Sequence, residues 1–147
     1  MTTLSASPTA PRLADSSSTA RPTARRIGLV LTGLAVAFLT FDVVGKLVGP
    51  EPVRASMADV GWPLHLAPVL GVVLGLCTAL YLAPPTARLG ALLLTGYLGG
   101  AIATNLRVEA PLFTHVLFPL YVAAFVWAGL ALRDPAVRAF VLSRKSA

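Results

Sequence analysis

Four long apolar runs, at 27–49, 64–83, 89–106 and 112–132, constrain this chain more than any other feature. Each holds roughly 18–23 residues, enough for an α-helix to cross a hydrocarbon core of about 30 Å at 1.5 Å per residue. Prolines mark the breaks: Pro50 and Pro52 after the first run, Pro84 and Pro85 after the second, Pro135 beyond the fourth. Only 12% of the 147 residues are charged, against about a quarter in soluble domains. That leaves too little polar surface to cover a water-soluble core, so the apolar excess faces lipid. The fold expected is all-α, an integral membrane up-down four-helix bundle spanning 27–135. A disordered cytoplasmic tail over 1–26 precedes it, and a basic cytoplasmic tail over 136–147 follows.

Basic residues set the orientation. Arg12, Arg21, Arg25 and Arg26, then Arg88, then Arg133, Arg138, Arg144 and Lys145 fall on one side of the bundle. The other side receives only Arg54 and Arg107. Lysine and arginine collect on the cytoplasmic side, so both termini are expected inside a cell (inner) membrane. Trp62 falls near the outer interface and Trp127 near the inner one, where amphipathic rings settle.

Composition also excludes function classes. The formal net charge of +6 would point to nucleic acid in a soluble protein, but these arginines flank apolar runs and no nucleic-acid motif is present. Cys77 is the single cysteine, so neither an internal disulfide nor a dithiol redox motif can form. It sits within an apolar run and reads as a small buried hydrophobe. No nucleophile constellation or nucleotide fingerprint occurs, so the chain is not expected to act as a catalyst alone.

Small residues at four-residue spacing allow helices to approach closely in lipid. Gly71 with Gly75, Gly96 with Gly100 (overlapped by Gly99 and Ala103), and Ala124 with Ala128 are therefore expected at helix contacts. Pro119 is expected to kink the fourth helix.

The polar residues are unevenly spread. Asp42 lies about 22 Å from the cytoplasmic edge of the first helix at 1.5 Å per residue, in the outer third of the membrane. Lys46, one turn on, can pair with it. His65 opens the second helix. Asn105 and Arg107 close the third, with Tyr97 two turns back from Asn105 on one face. His115 is one turn into the fourth. These seven residues form a candidate polar pocket at the outer leaflet, whereas the inner half keeps only Thr32, Thr78 and Tyr81. An ionisable group at membrane depth is by default a functional-site hypothesis. The bland alternative is that Lys46, His65 and Arg107 merely snorkel to headgroups. Two histidines without an attachment motif disfavour haem, and a metal site of Asp42, His65 and His115 is as weakly supported.

Several motifs together resemble one family. They are the run LGALLLTGYLGGAIATNLR over 89–107, then Phe113, Thr114 and His115, Phe118 with Pro119, Trp127, and Leu132 to Asp134. Earlier pieces agree: Asp42, Gly45 with Lys46 and Leu47, and Gly61 with Trp62 and Pro63. Over residues 27 to 135 the chain resembles the DoxX-like family of small four-helix membrane proteins. The resemblance implies the topology. It also implies an association with quinone reduction, as in the thiosulfate:quinone oxidoreductase, or with membrane redox complexes handling oxidative stress. An accessory or quinone-associated subunit is thus the leading expectation, with the bilayer and a membrane or membrane-associated redox protein as partners. Quinone is the one cofactor it admits. An assembly or scaffold protein, or a small transporter or proton relay, are the alternatives.

Overall fold

The structure is a computed structural model that describes residues 20–143. Its six α-helices are α1 (Ala20–Val48), α2 (Glu51–Asp59), α3 (Ala67–Leu82), α4 (Ala87–Arg107), α5 (Phe118–Arg133) and α6 (Pro135–Ser143), and no strand occurs among the described residues. A 3₁₀ turn, Leu64–Leu66, leads into α3, and a π-helical turn, Leu112–Val116, leads into α5. Four helical stretches are long and apolar enough to cross a membrane: Thr23–Val48, Leu64–Leu82, Ala87–Arg107 and Leu112–Arg133. They form an antiparallel bundle in which α1 packs on α3 and α5, and α4 packs on the same two from the other side. Leu39, Leu74, Leu94, Val126 and Leu130 fill the core. Phe41, Val30, Leu76 and Leu92 stand outward, as a bilayer requires.

One end of the bundle is tied shut. Tyr81, fully buried near the end of α3, donates its hydroxyl to the Val126 carbonyl of α5 at 2.9 Å and lies 3.3 Å from the Thr32 hydroxyl of α1. The Arg133 guanidinium sits 4.7 Å over its ring and donates to its carbonyl. Gly90 of α4 meets the Tyr81 backbone so closely that a Cβ there would collide with it. Outside this knot Arg88 makes a two-pronged ion pair with Asp134. Asp134 also caps α6 by accepting from the Ala136 N–H. The Arg88 hydrogen bond holds the Asp134 carboxyl below its ordinary range. Its contribution is therefore present at neutral pH and lost as pH falls through that lowered value.

The other end is looser, and α2 lies across it. Gly49, at φ +65°, ends α1, and Pro50 cannot extend it. Pro52 in the first turn and Glu51 at the N-terminus start α2. Gly61, at φ +69°, stops it in a Schellman arrangement, with Trp62 N–H on the Met57 carbonyl and Gly61 N–H on the Ala58 carbonyl.

Four details differ from the sequence reading. Helix α1 begins at Ala20 rather than 27, and residues 135–143 form a helix rather than a tail; the rest of the expected N-terminal tail lies outside the described residues. Pro119 sits in the first turn of α5 instead of kinking a continuous helix. The ring removes an N–H that the first turn would leave unpaired anyway, and the π-turn takes up the change in winding. Gly71 and Gly75 do meet α1, at Lys46, Leu47 and Val43. Gly96, Gly99 and Gly100, by contrast, face no neighbour within 4 Å, and Ala124 and Ala128 are exposed. The close approaches are made instead by Gly90 and by Gly28 with Gly129, where α1 crosses α5.

Two substitutions in α4 should thus diverge. Gly90→Ala is expected to lower the thermal midpoint in detergent, by an overpacking cost of about 1–3 kcal/mol. Gly99→Ala, in open space, should leave it unchanged or raise it by up to about 1 kcal/mol through helix propensity. Thermal unfolding of both variants followed by circular dichroism checks the contrast.

Candidate functional site

The α2 end of the bundle encloses a cavity of about 580 Å³, within the range of small-molecule sites. Its lining follows helical spacing. Helix α1 contributes Phe38, Leu39, Asp42 and Lys46, and α4 contributes Gly96, Tyr97, Gly100, Ala101, Thr104 and Asn105. Both sets recur at three to four residues, so each presents one continuous face. The π-turn and the start of α5 bring Thr114, His115, Phe118 and Pro119. Leu70 and Leu74 of α3 form an apolar wall, and Ser56 and Met57 of α2, with Val60 and Trp62 beyond its end, border the mouth.

Within the cavity Lys46 donates to Asp42 at 2.5 Å, one turn apart on α1. Their side chains are 18% and 35% exposed, respectively, so neither charge is fully desolvated. The pair answers the cost of placing an acid at membrane depth, about 2.5–3.5 kcal/mol at a helix centre on insertion scales. Asn105 returns its amide N–H to the Ala101 carbonyl of its own helix at 2.9 Å. The His115 Nδ1 lies 2.8 Å from the Thr114 hydroxyl, which orients the imidazole. Tyr97 is half-buried between this polar group and the core. The missing side chains of Gly96 and Gly100 leave room beside it, which accounts for two glycines that touch nothing.

Five of the seven candidate residues, Asp42, Lys46, Tyr97, Asn105 and His115, share this cavity. His65 and Arg107 do not line it. His65 is exposed on the 3₁₀ turn, and the α3 residues that line the cavity are Leu70 and Leu74. Arg107 reaches across the top and donates to the Val60 carbonyl at 2.6 Å, holding the end of α2 in place. The trio of Asp42, His65 and His115 is not gathered: among the described residues no three His, Cys, Asp or Glu side chains could hold one metal ion. The α2 residues Ser56 and Met57 escaped the sequence reading, which left 50–63 as a connection. The signals were there, in a proline and acid at the start and a glycine two residues past the end.

The arrangement offers hydroxyl, amide, imidazole and ammonium donors around a space with apolar walls. Because Lys46 already holds Asp42, the pair carries little net charge, and the other donors are left to hydrogen-bond acceptor oxygens. Comparison with known proteins fits this chain's architecture. A sequence model of the DoxX-like family matches residues 30–129, which takes in the cavity and most of all four spanning helices. No curated protein and no solved structure matches significantly.

The Asp42–Lys46 pair carries a direct test. Asp42→Ala and Lys46→Ala are each expected to destabilise the bundle, and the double variant by less than their sum. A double-mutant cycle on thermal midpoints should give a favourable coupling of about 0.5–3 kcal/mol, the range for residues in contact. Additive effects would mean that the two charges are solvated independently.

Proposed function

This chain belongs to the DoxX-like family, and we propose on that premise that it is an accessory, quinone-associated subunit of a membrane redox system. The observation that carries the reading is the convergence of Asp42–Lys46, Tyr97, Asn105 and His115 on one cavity at one end of an otherwise apolar bundle. The residues fit a quinone head. Its two carbonyl oxygens accept hydrogen bonds, for which Tyr97, His115, Thr104 and Lys46 are candidate donors. Phe38, Leu39, Leu74 and Val122 form the apolar walls for the ring. When bound, a quinone supplies two-electron, two-proton chemistry. Asp42, His115 and Tyr97 are the groups of this chain that can hold a proton beside it, while electrons come from a redox partner protein in or at the membrane.

Charge supports an orientation with both termini cytoplasmic in the cell membrane. Arg25, Arg26, Arg88, Arg133 and Arg138 belong to the end closed by Tyr81, and Arg54 and Arg107 to the cavity end. The cavity then opens towards the outer leaflet. Conduction through the bundle is the weaker reading, because a pathway needs polar lining on both sides and here the Tyr81 knot and its apolar surroundings fill the other half.

Trp62 lines the cavity and gives a reporter. In a Trp127→Phe background in nanodiscs, a tailless methoxy-substituted benzoquinone should quench Trp62 fluorescence saturably. Tyr97→Phe and His115→Ala should each weaken that binding about tenfold, as expected for the loss of one hydrogen bond at the upper end of the usual range. Quenching that is linear in quinone and indifferent to both substitutions would dismiss the reading.

A further inference from the structure

A second, smaller space of about 210 Å³ adjoins the first on the lipid-facing side between α1 and α5. Phe38, Phe118 and Val122 line both, so the two share one wall. Phe38 and Phe118 stand edge to face at that junction, ring centroids 5.0 Å apart and planes at 67°. Beyond them the groove is bounded by Leu34, Ala35, Tyr121 and Phe125. None of the charged or amide groups of the cavity continues into it.

The direction of the groove matters. Leu34, Phe38 and Asp42 follow one another at four-residue steps on α1, so they share a face. Leu34 lies about 12 Å from Asp42 along the helix axis at 1.5 Å per residue, towards the bilayer centre. Leu34, Tyr121 and Phe125 are exposed on the bundle surface, whereas Ala35 beneath them is buried. A polar chamber at one end of the bundle thus shares its Phe38–Phe118 wall with an apolar groove that runs inward along the helices. A free headgroup has no use for such a groove, and a diacyl lipid has two chains where the groove has room for one.

We infer that the groove is a tail subsite: the ligand is a single-chain amphiphile whose polar ring sits beside Asp42 and His115, with its hydrocarbon or isoprenoid tail passing Phe38–Phe118 and lying along Leu34, Tyr121 and Phe125. The inference rests on the cavity reading proposed above and adds the chemical class of the ligand and its route of entry from the membrane. The edge-to-face pair acts as the portal. With centroids 5.0 Å apart the two rings touch, so they must turn about their side-chain bonds to admit the tail.

The test uses the full-length protein in phosphatidylcholine nanodiscs and a benzoquinone carrying a diazirine partway along a single alkyl tail. Irradiation followed by peptide mapping should place the label on the segments holding Leu34, Tyr121 and Phe125. Excess tailless benzoquinone should cut that labelling about tenfold by displacing the head. Leu34→Phe, which narrows the groove from an exposed position without adding a tryptophan, should sharply reduce labelling there while Trp62 quenching by the tailless quinone in the Trp127→Phe background persists. Phe125→Ala, which widens the groove, should retain both.

Labelling spread over all lipid-facing helices, with headgroup quenching intact, would overturn the tail subsite and leave the cavity reading standing. Labelling confined to the groove but indifferent to the tailless competitor would mean an ordinary acyl chain lies there, and would also overturn it. Loss of saturable headgroup binding in the unmodified protein would remove both proposals together.

Discussion

All four spanning helices meet at Tyr81. Its hydroxyl reaches α5 and α1, its ring lies under Arg133, and its backbone is pressed against Gly90 of α4. Hydrogen bonds between membrane helices average only about 0.6 kcal/mol, so these two polar contacts cannot by themselves secure the bundle. The close approach at Gly90, Gly28 and Gly129 supplies what they do not, since dispersion forces between helices depend on contact distance. The hydroxyl's role is to be satisfied: a buried phenol without a partner would oppose the packing it now completes.

Closing one end has a geometric consequence at the other. Helices pinned close together at Tyr81 leave a cavity between them at the α2 end, lined by whichever residues the helical repeat brings inward. On α1 these are Leu39, Asp42 and Lys46, and on α4 they are Tyr97, Ala101 and Asn105. The tight contacts of Gly28, Gly90 and Gly129 thus lie at the Tyr81 end, and the open Gly96 and Gly100 at the cavity end. The tether from Arg107 to Val60 holds the end of α2 over the cavity.

Much of this was legible in the residues. Run lengths and prolines located the four spans, and the depth of Asp42, Lys46 and His115 was readable from helical rise alone. Depth is one coordinate, however, and azimuth is another. His65 and Arg107 belong to the cavity end, yet His65 is exposed on the 3₁₀ turn and Arg107 is held on the Val60 carbonyl, which no single-chain periodicity reveals without knowing the neighbours. The glycines failed for the same reason. The spacing of Gly96 and Gly100 fits a packing face, yet the helix turns that face to the cavity, while isolated Gly90 makes the tight contact. Helix α2 was hidden by its length, since nine residues with a polar exterior look like a connection until Pro52 and Gly61 are read as its ends.

Whether the cavity holds a quinone in the native membrane is read most directly from what the protein retains. The chain would be released from its own membranes into nanodiscs without added ligand, and its quinone measured by the oxidised-minus-reduced difference spectrum of a solvent extract. Near-stoichiometric quinone is expected, falling towards the level of the surrounding lipid in His115→Ala. Quinone no higher than that of empty nanodiscs prepared from the same membranes, and unchanged by the substitution, would contradict the cavity reading.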